Sequence, residues 1–299
     1  MLHCLNDQLE RQITKSGRTG FVLRVVHVDT SSVEGVNVEA AALERVKERY
    51  PKHSYAEVPL SDVFESDKLD DLLKSFGSPS EEAQQPNDLS NQEQLSRLLT
   101  LIPSATSRAD VLQILKSKLI VAYAKANGCE AILWGDSTTR LAEKTLAETA
   151  KGRGFALPWL VSDGQSPLGV DFVYPMRDLL KKELVAYSGY ADPALTPLIV
   201  QQPPVSTVVS AKHSTIDDLM KQYFESVEQN YPSIVANVVR TTSKLQAPSV
   251  TQDESQVCDL CGLPLIESAA GQADSGANAE DGKLHHFCHG CARAFPQAS

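Results

Sequence analysis

Four cysteines near the C-terminus carry the spacing best suited to chemistry. Cys258 and Cys261 form one CxxC pair, Cys288 and Cys291 form another, and 26 residues separate the pairs. Two such pairs can place four thiolates tetrahedrally around a single ion, and closing that site lets a short segment fold without a core of its own. The intervening ESAAGQADSGANAEDG is too polar to fold by burial alone. A structural zinc site is therefore expected, with an iron–sulfur cluster as the lesser alternative. Two disulfides are disfavoured in a cytosolic chain, and a redox CxxC would more naturally follow a strand. His285, His286 and His289 could replace a cysteine ligand but read as surface histidines, and Cys4 and Cys129 read as core residues on apolar faces.

A second segment, AILWGDSTTRLAE at 131 to 143, runs from an apolar strand through a glycine into a helix. That is the outline of a phosphate or nucleotide crevice at the carboxyl end of a parallel strand, where backbone N–H groups at a helix start favour an anion. Gly135, Asp136, Ser137 and Thr139 would line it. Asp29, at the end of HVD, could border the same pocket, although an acid closing a strand end is equally ordinary.

These residues need elements to hold them. Leu2, Leu5, Leu9 and Ile13 have helical spacing; FVLRVVHVD at 21 to 29 reads as a buried strand, 36 to 50 as an amphipathic helix stopped by Pro51, and 55 to 60 as a further strand. Strand, helix, strand in this rhythm predicts a parallel sheet in an α/β fold. Residues 61 to 100 turn polar and acidic and read as a flexible insertion. A helix is expected over 105 to 127, capped at Ser107 or nearby, then strands at 131 to 134 and 170 to 175, a helix at 176 to 188 and a helical pair at 214 to 245 broken at Pro232. The resulting division is 1–60 as the first part of the α/β domain, 61–100 as insertion, 101–248 as the rest of that domain with a helical extension, and 249–299 as the paired-CxxC module.

With 299 residues, 42% of them hydrophobic, the chain is long enough for one large core and an appendage. No run approaches the roughly 18 to 20 apolar residues of a membrane span, and the N-terminus lacks the pattern of a secretion signal, so a cytoplasmic or nuclear home is expected. A net charge of −10 argues against strong independent binding to a polyanion, but residues 108 to 182 carry 11 basic against 8 acidic side chains. Any nucleic-acid face should lie there. Arg140, Lys144, Lys151 and Arg153 fall on or just after one helix, and Arg177, Lys181 and Lys182 on another; as a set they suit phosphate contacts, while each alone suits an ordinary solvated face.

Taken together, HVDTSSVEG at 27 to 35, the stretch 131 to 154, YPMRDLLKKELVAY at 174 to 187, residues 224 to 245 and the cysteine pairs make the chain resemble the ATP-pyrophosphatase (PP-loop) family of tRNA thiolation enzymes, and within it the non-catalytic subunits of the wobble-uridine thiolation complex. The resemblance implies a HUP-like parallel-sheet domain lacking its first strand and SGGxDS phosphate loop, because the sequence begins with the helix that should follow them. Matching the family's GHNxDDxAE segment to GDSTTRLAE puts Asp136, Ser137, Thr139 and Arg140 on its His, Asn, Asp and Asp positions, with Ala142 and Glu143 retained. Magnesium needs hard oxygen ligands, which Arg140 cannot supply, so ATP is not expected to be used by this chain. The resemblance further implies a catalytic partner subunit, tRNA, and sulfur from a thiocarboxylated ubiquitin-related modifier. The rival readings are an active sulfurtransferase whose cysteines carry persulfide or a cluster, and a zinc scaffold that contacts only proteins.

Overall fold

The computed structural model describes residues 1–35, 38–66, 89–200, 214–247, 257–265 and 286–295. In chain order its principal elements are α1 (Leu2–Ser16), β1 (Arg24–Asp29), α2 (Val38–Arg49), β2 (Ser54–Pro59), α3 (Asn91–Leu101), α4 (Ala105–Ala126), β3 (Ala131–Leu133), α5 (Thr138–Ala150), β4 (Gly164–Gln165), β5 (Asp171–Val173), α6 (Lys181–Tyr190), α7 (Ile216–Asn230), α8 (Pro232–Thr242) and the single turn α9 (His289–Ala292). They divide into two compact units, one of Met1–Leu60 with Lys181–Pro204 and the other of Ser61–Leu180 with Val205–Ser299.

In the first unit the expected parallel pairing is present: β1 lies beside β2 with Arg24 opposite Ser54 and Asp29 opposite Pro59. The strand is half-buried rather than buried, because β2 is its only ladder partner among the described residues. α1 ends at Gly17, whose left-handed backbone (φ 66°) lets its N–H return to the Ile13 carbonyl. Cys4 is exposed, its thiol 3.9 Å from the Tyr187 hydroxyl, and is not a core residue.

The second unit holds the larger core. β3 pairs parallel with β5, Ile132 opposite Phe172, and β4 returns antiparallel on the other side of β5. Behind this sheet Val121, Ile132, Leu141, Phe172, Phe224 and Val235 pack together, with α5 against both α7 and α8. Phe224 is wholly buried, and truncating it to alanine would cost about 3–5 kcal/mol. α4 is capped by Ser104, whose hydroxyl accepts from the Ser107 N–H, three residues ahead of the expected cap.

Two sequence expectations change here for identifiable reasons. The stretch 61–100, expected as a flexible insertion, contains α3, where Ser90 and Glu93 satisfy each other's backbone N–H groups and Leu95 and Leu98 are buried; the part from 67 to 88 lies outside the described residues. The helix expected from 176 begins instead at Lys181. Thr138 takes the carbonyls that an earlier start would have used: its N–H donates to Leu179 O and its hydroxyl to Arg177 O.

Candidate functional site

The crevice outline is built as the sequence suggests, from β3 through Trp134–Gly135–Asp136 into α5. Ser137 caps the helix, its hydroxyl accepting the Arg140 N–H at 3.2 Å, which satisfies one of the donors a helix start leaves open. Gly135 is exposed and Asp136 half-buried. Every side chain expected to line the pocket is already engaged. Thr139 is fully buried and donates to Glu228 of α7 at 2.8 Å. Arg140 bonds back to Glu143 one turn on, at 3.0 Å. Asp136 faces the Lys144 ammonium at 3.8 Å, and that ammonium also sits 5.8 Å from the centres of both the Trp134 and Tyr174 rings. Burial pushes Lys144 below the ordinary lysine range, with Asp136 opposing the shift. Asp29 belongs to the first unit, where Ser31 donates to it from both its N–H and its hydroxyl; those bonds hold its carboxyl below the usual range.

The basic candidates separate into three kinds. Contrary to the solvated face expected of them, Lys151 and Arg153 lie in a buried ion network. Arg153 donates through Nε to Glu148 (2.6 Å) and through both terminal nitrogens to Asp110; Lys151 reaches Asp217 (2.8 Å), Asp110 (3.1 Å) and Glu148 (3.3 Å). Their side chains are 2% and 5% exposed, which leaves no room for an RNA phosphate. Arg177 is paired with Asp163 at 2.9 Å, and Lys144 is held as described. Arg140 is partly exposed, and Lys181 and Lys182 are exposed on α6 of the first unit.

The four cysteines do converge. Cys258, Cys261, Cys288 and Cys291 are all buried, and their sulfurs lie within 4.8 Å of one another. Each pair sits on a tight backbone turn: Gly262 N–H returns to Cys258 O, and Ala292 N–H to Cys288 O. The two turns are tied by His286, which donates its N–H to the Asp259 carboxylate and accepts the Asp259 N–H at its own carbonyl. The crowding polarises the set. Donation from Cys261, then Cys288 and Cys291, holds the Cys258 thiol far below its ordinary value, while sharing with Cys258 pushes Cys261 and Cys291 up. Among the described residues no histidine or carboxylate joins the group; His285 lies outside them. Cys129 is half-buried against the core, as expected.

Sequence reasoning did not find Asp110, Glu148, Asp217 and Glu228, the acids that occupy these basic and hydroxyl groups. Only Glu148, three residues before Lys151, left a local signal.

The family model described as "Cytoplasmic tRNA 2-thiolation protein 2" matches residues 215–284. Curated relatives of that name are 49% identical in Phaeosphaeria nodorum (99% of this chain, 78% of the relative), 46% in Pyrenophora tritici-repentis (100% and 79%) and 40% in Ajellomyces capsulatus (98% and 83%). Among solved structures, the U34-tRNA thiolase NcsA from Methanococcus maripaludis with its [4Fe-4S] cluster superimposes with a TM-score of 0.51 at 14% identity, covering 88% of this chain and 78% of that one. At that identity the likeness is one of fold.

Proposed function

Because this chain belongs to the cytoplasmic tRNA 2-thiolation protein 2 family, we propose that it serves in the cytoplasm as a subunit of a tRNA 2-thiolation complex, and that it does so without ATP chemistry of its own. Thr139 supports the absence of ATP chemistry. At a position where the resembled enzymes place a carboxylate, a buried hydroxyl is committed to Glu228, and the next position holds an arginine bonded to Glu143. Neither can coordinate a magnesium-bound triphosphate, which needs oxygen ligands free to face the phosphates. A catalytic partner subunit then supplies ATP, magnesium and the reactive cysteines for the wobble uridine of Lys-, Glu- and Gln-type tRNAs. The sulfur comes from a thiocarboxylated ubiquitin-related modifier. Arg140, Lys181 and Lys182 are this chain's phosphate contacts; such contacts position an RNA rather than read its sequence.

The cysteine centre holds a structural zinc ion in this reading. A single tetrahedral ion with Zn–S bonds of about 2.3 Å puts its sulfurs about 3.8 Å apart, close to the 3.9 Å between Cys261 and Cys288. The compactness of the four sulfurs supports one ion over a four-iron cluster, whose cage of irons and sulfides holds its cysteine sulfurs farther apart. Zinc there would fix the two turns together and supply no catalytic step.

The test is reconstitution with a candidate catalytic subunit and tRNA, omitting each component in turn, with pyrophosphate release and 2-thiouridine measured. Thiolation that needs both chains, with no pyrophosphate from this chain alone, is the expected result. Pyrophosphate release by the isolated full-length chain in the presence of tRNA would overturn the reading.

A further inference from the structure

We infer that the turn Lys151–Gly152–Arg153 at the end of α5 is the seat of the Cys288–Cys291 knuckle, and that seating and metal binding are linked, Arg153 acting as a positioning residue for the metal centre. The inference rests on the proposal that the four cysteines hold a metal ion.

Two glycines face each other's segments across this contact. Gly152 has a φ of +87°, a conformation that side chains disfavour, and a Cβ there would run into the His289 imidazole. Gly290, between His289 and Cys291, is packed equally closely: a Cβ would stand 2.7 Å from Arg153 Cγ, 2.8 Å from the Lys151 carbonyl oxygen and 3.0 Å from an Arg153 terminal nitrogen. The backbone of the knuckle therefore lies directly on the backbone of the turn. Neither side can yield easily, because the Arg153 side chain is gripped by Asp110 and Glu148 and the neighbouring Lys151 by Asp217. The other knuckle is docked on the same unit: Lys118 of α4 reaches the Asp259 carbonyl at 3.4 Å, and a Cβ at Gly262 would stand 3.0 Å from Leu168.

This arrangement assigns a role to an otherwise costly feature. Burying four charged groups, with Asp217 half-buried at their edge, is weak evidence for stability, since their desolvation offsets most of their attraction. As a rigid floor, however, the network fixes where Cys288 and Cys291 meet the other pair, in the way that groups behind metal ligands fix the ligands' orientation. Because a knuckle that binds metal only when seated must also be seated more firmly when metal is bound, the coupling runs in both directions.

The experiment uses the full chain and zinc alone as probe. Competition against a chromogenic chelator gives the affinity of the unmodified chain, of Gly290→Ala and of Asp110→Asn, the last of which loosens Arg153 without touching the cysteine module. Hydrogen exchange of the Lys151–Arg153 amides is followed with and without zinc. The expected result is zinc affinity reduced about 10–100-fold in both variants, with their thermal transitions confirming that they fold, and exchange at Lys151–Arg153 that quickens when zinc is stripped from the unmodified chain. Unchanged affinity in folded variants, or exchange indifferent to zinc, overturns the seat while leaving the metal site intact. An unmodified chain that takes up no zinc overturns the metal reading and the seat with it, without bearing on the thiolation assay.

Discussion

The Thr139 hydroxyl donates to the Glu228 carboxylate across 2.8 Å, tying the first turn of α5 to α7 inside the core. The bond occupies the position where the resembled enzymes place an acid, so in the proposed reading the absence of ATP chemistry and the packing of α5 on α7 are two aspects of one contact.

Restoring that acid should therefore fail. Thr139→Asp sets a second carboxylate beside buried Glu228, where like charges at hydrogen-bond distance disfavour ionisation of both. The double variant Thr139→Asp, Arg140→Asp is expected to lose about 3 kcal/mol or more of stability, measured by urea unfolding, and to release no pyrophosphate.

The buried network sets a pH window. Burial opposes the charge on Glu148, but Arg153 and Lys151 overcome it and hold the carboxyl below its ordinary 4.5. Burial likewise opposes Lys151, and Glu148, Asp110 and Asp217 raise it above 10.5. A depressed acid stabilises the fold above its unfolded pKa and loses that contribution as pH falls through the folded one; a raised base stabilises below its unfolded pKa and loses it as pH rises through the folded one. The network thus contributes fully from about pH 4.5 to 10.5. Glu148→Gln should lower stability at pH 7 by about 3–5 kcal/mol and flatten the acid limb of a Tm-against-pH curve. An acid limb unchanged in the variant would contradict this.

Cys291→Ser should abolish tight metal binding. Elemental analysis of the unmodified chain is expected to find one zinc per chain and no inorganic sulfide, and of the variant almost none. Stoichiometric iron with sulfide would instead identify a cluster.

For tRNA, Lys181→Glu with Lys182→Glu should weaken binding of the reconstituted pair and reduce the slope of log affinity against log salt by about 2, one for each lost phosphate contact. Arg153 is uninformative in such an assay, because its removal destabilises the fold.

Much of this was legible in the residues. The paired CxxC spacing brings four sulfurs together as expected, since each pair needs only a local turn. The strands around 24–29, 54–59, 131–133 and 171–173 follow their apolar runs. What was not legible depends on partners far along the chain. Lys151 and Arg153 look like surface charges until Asp217 and Asp110, 66 and 43 positions away, are folded onto them. The delayed start of α6 has the same origin, since Thr138 captures carbonyls 39 or more positions on. Hydrophobic periodicity reports which face of an element is buried, not which polar group will meet it there.

α5 has the Gly135–Ser137 crevice at one end and the cysteine knuckle at the other. Its 13 residues make a rod about 20 Å long, stiff at that length. The two features therefore share one foundation, and neither can drift in the course of evolution, or be redesigned, without the other registering the change.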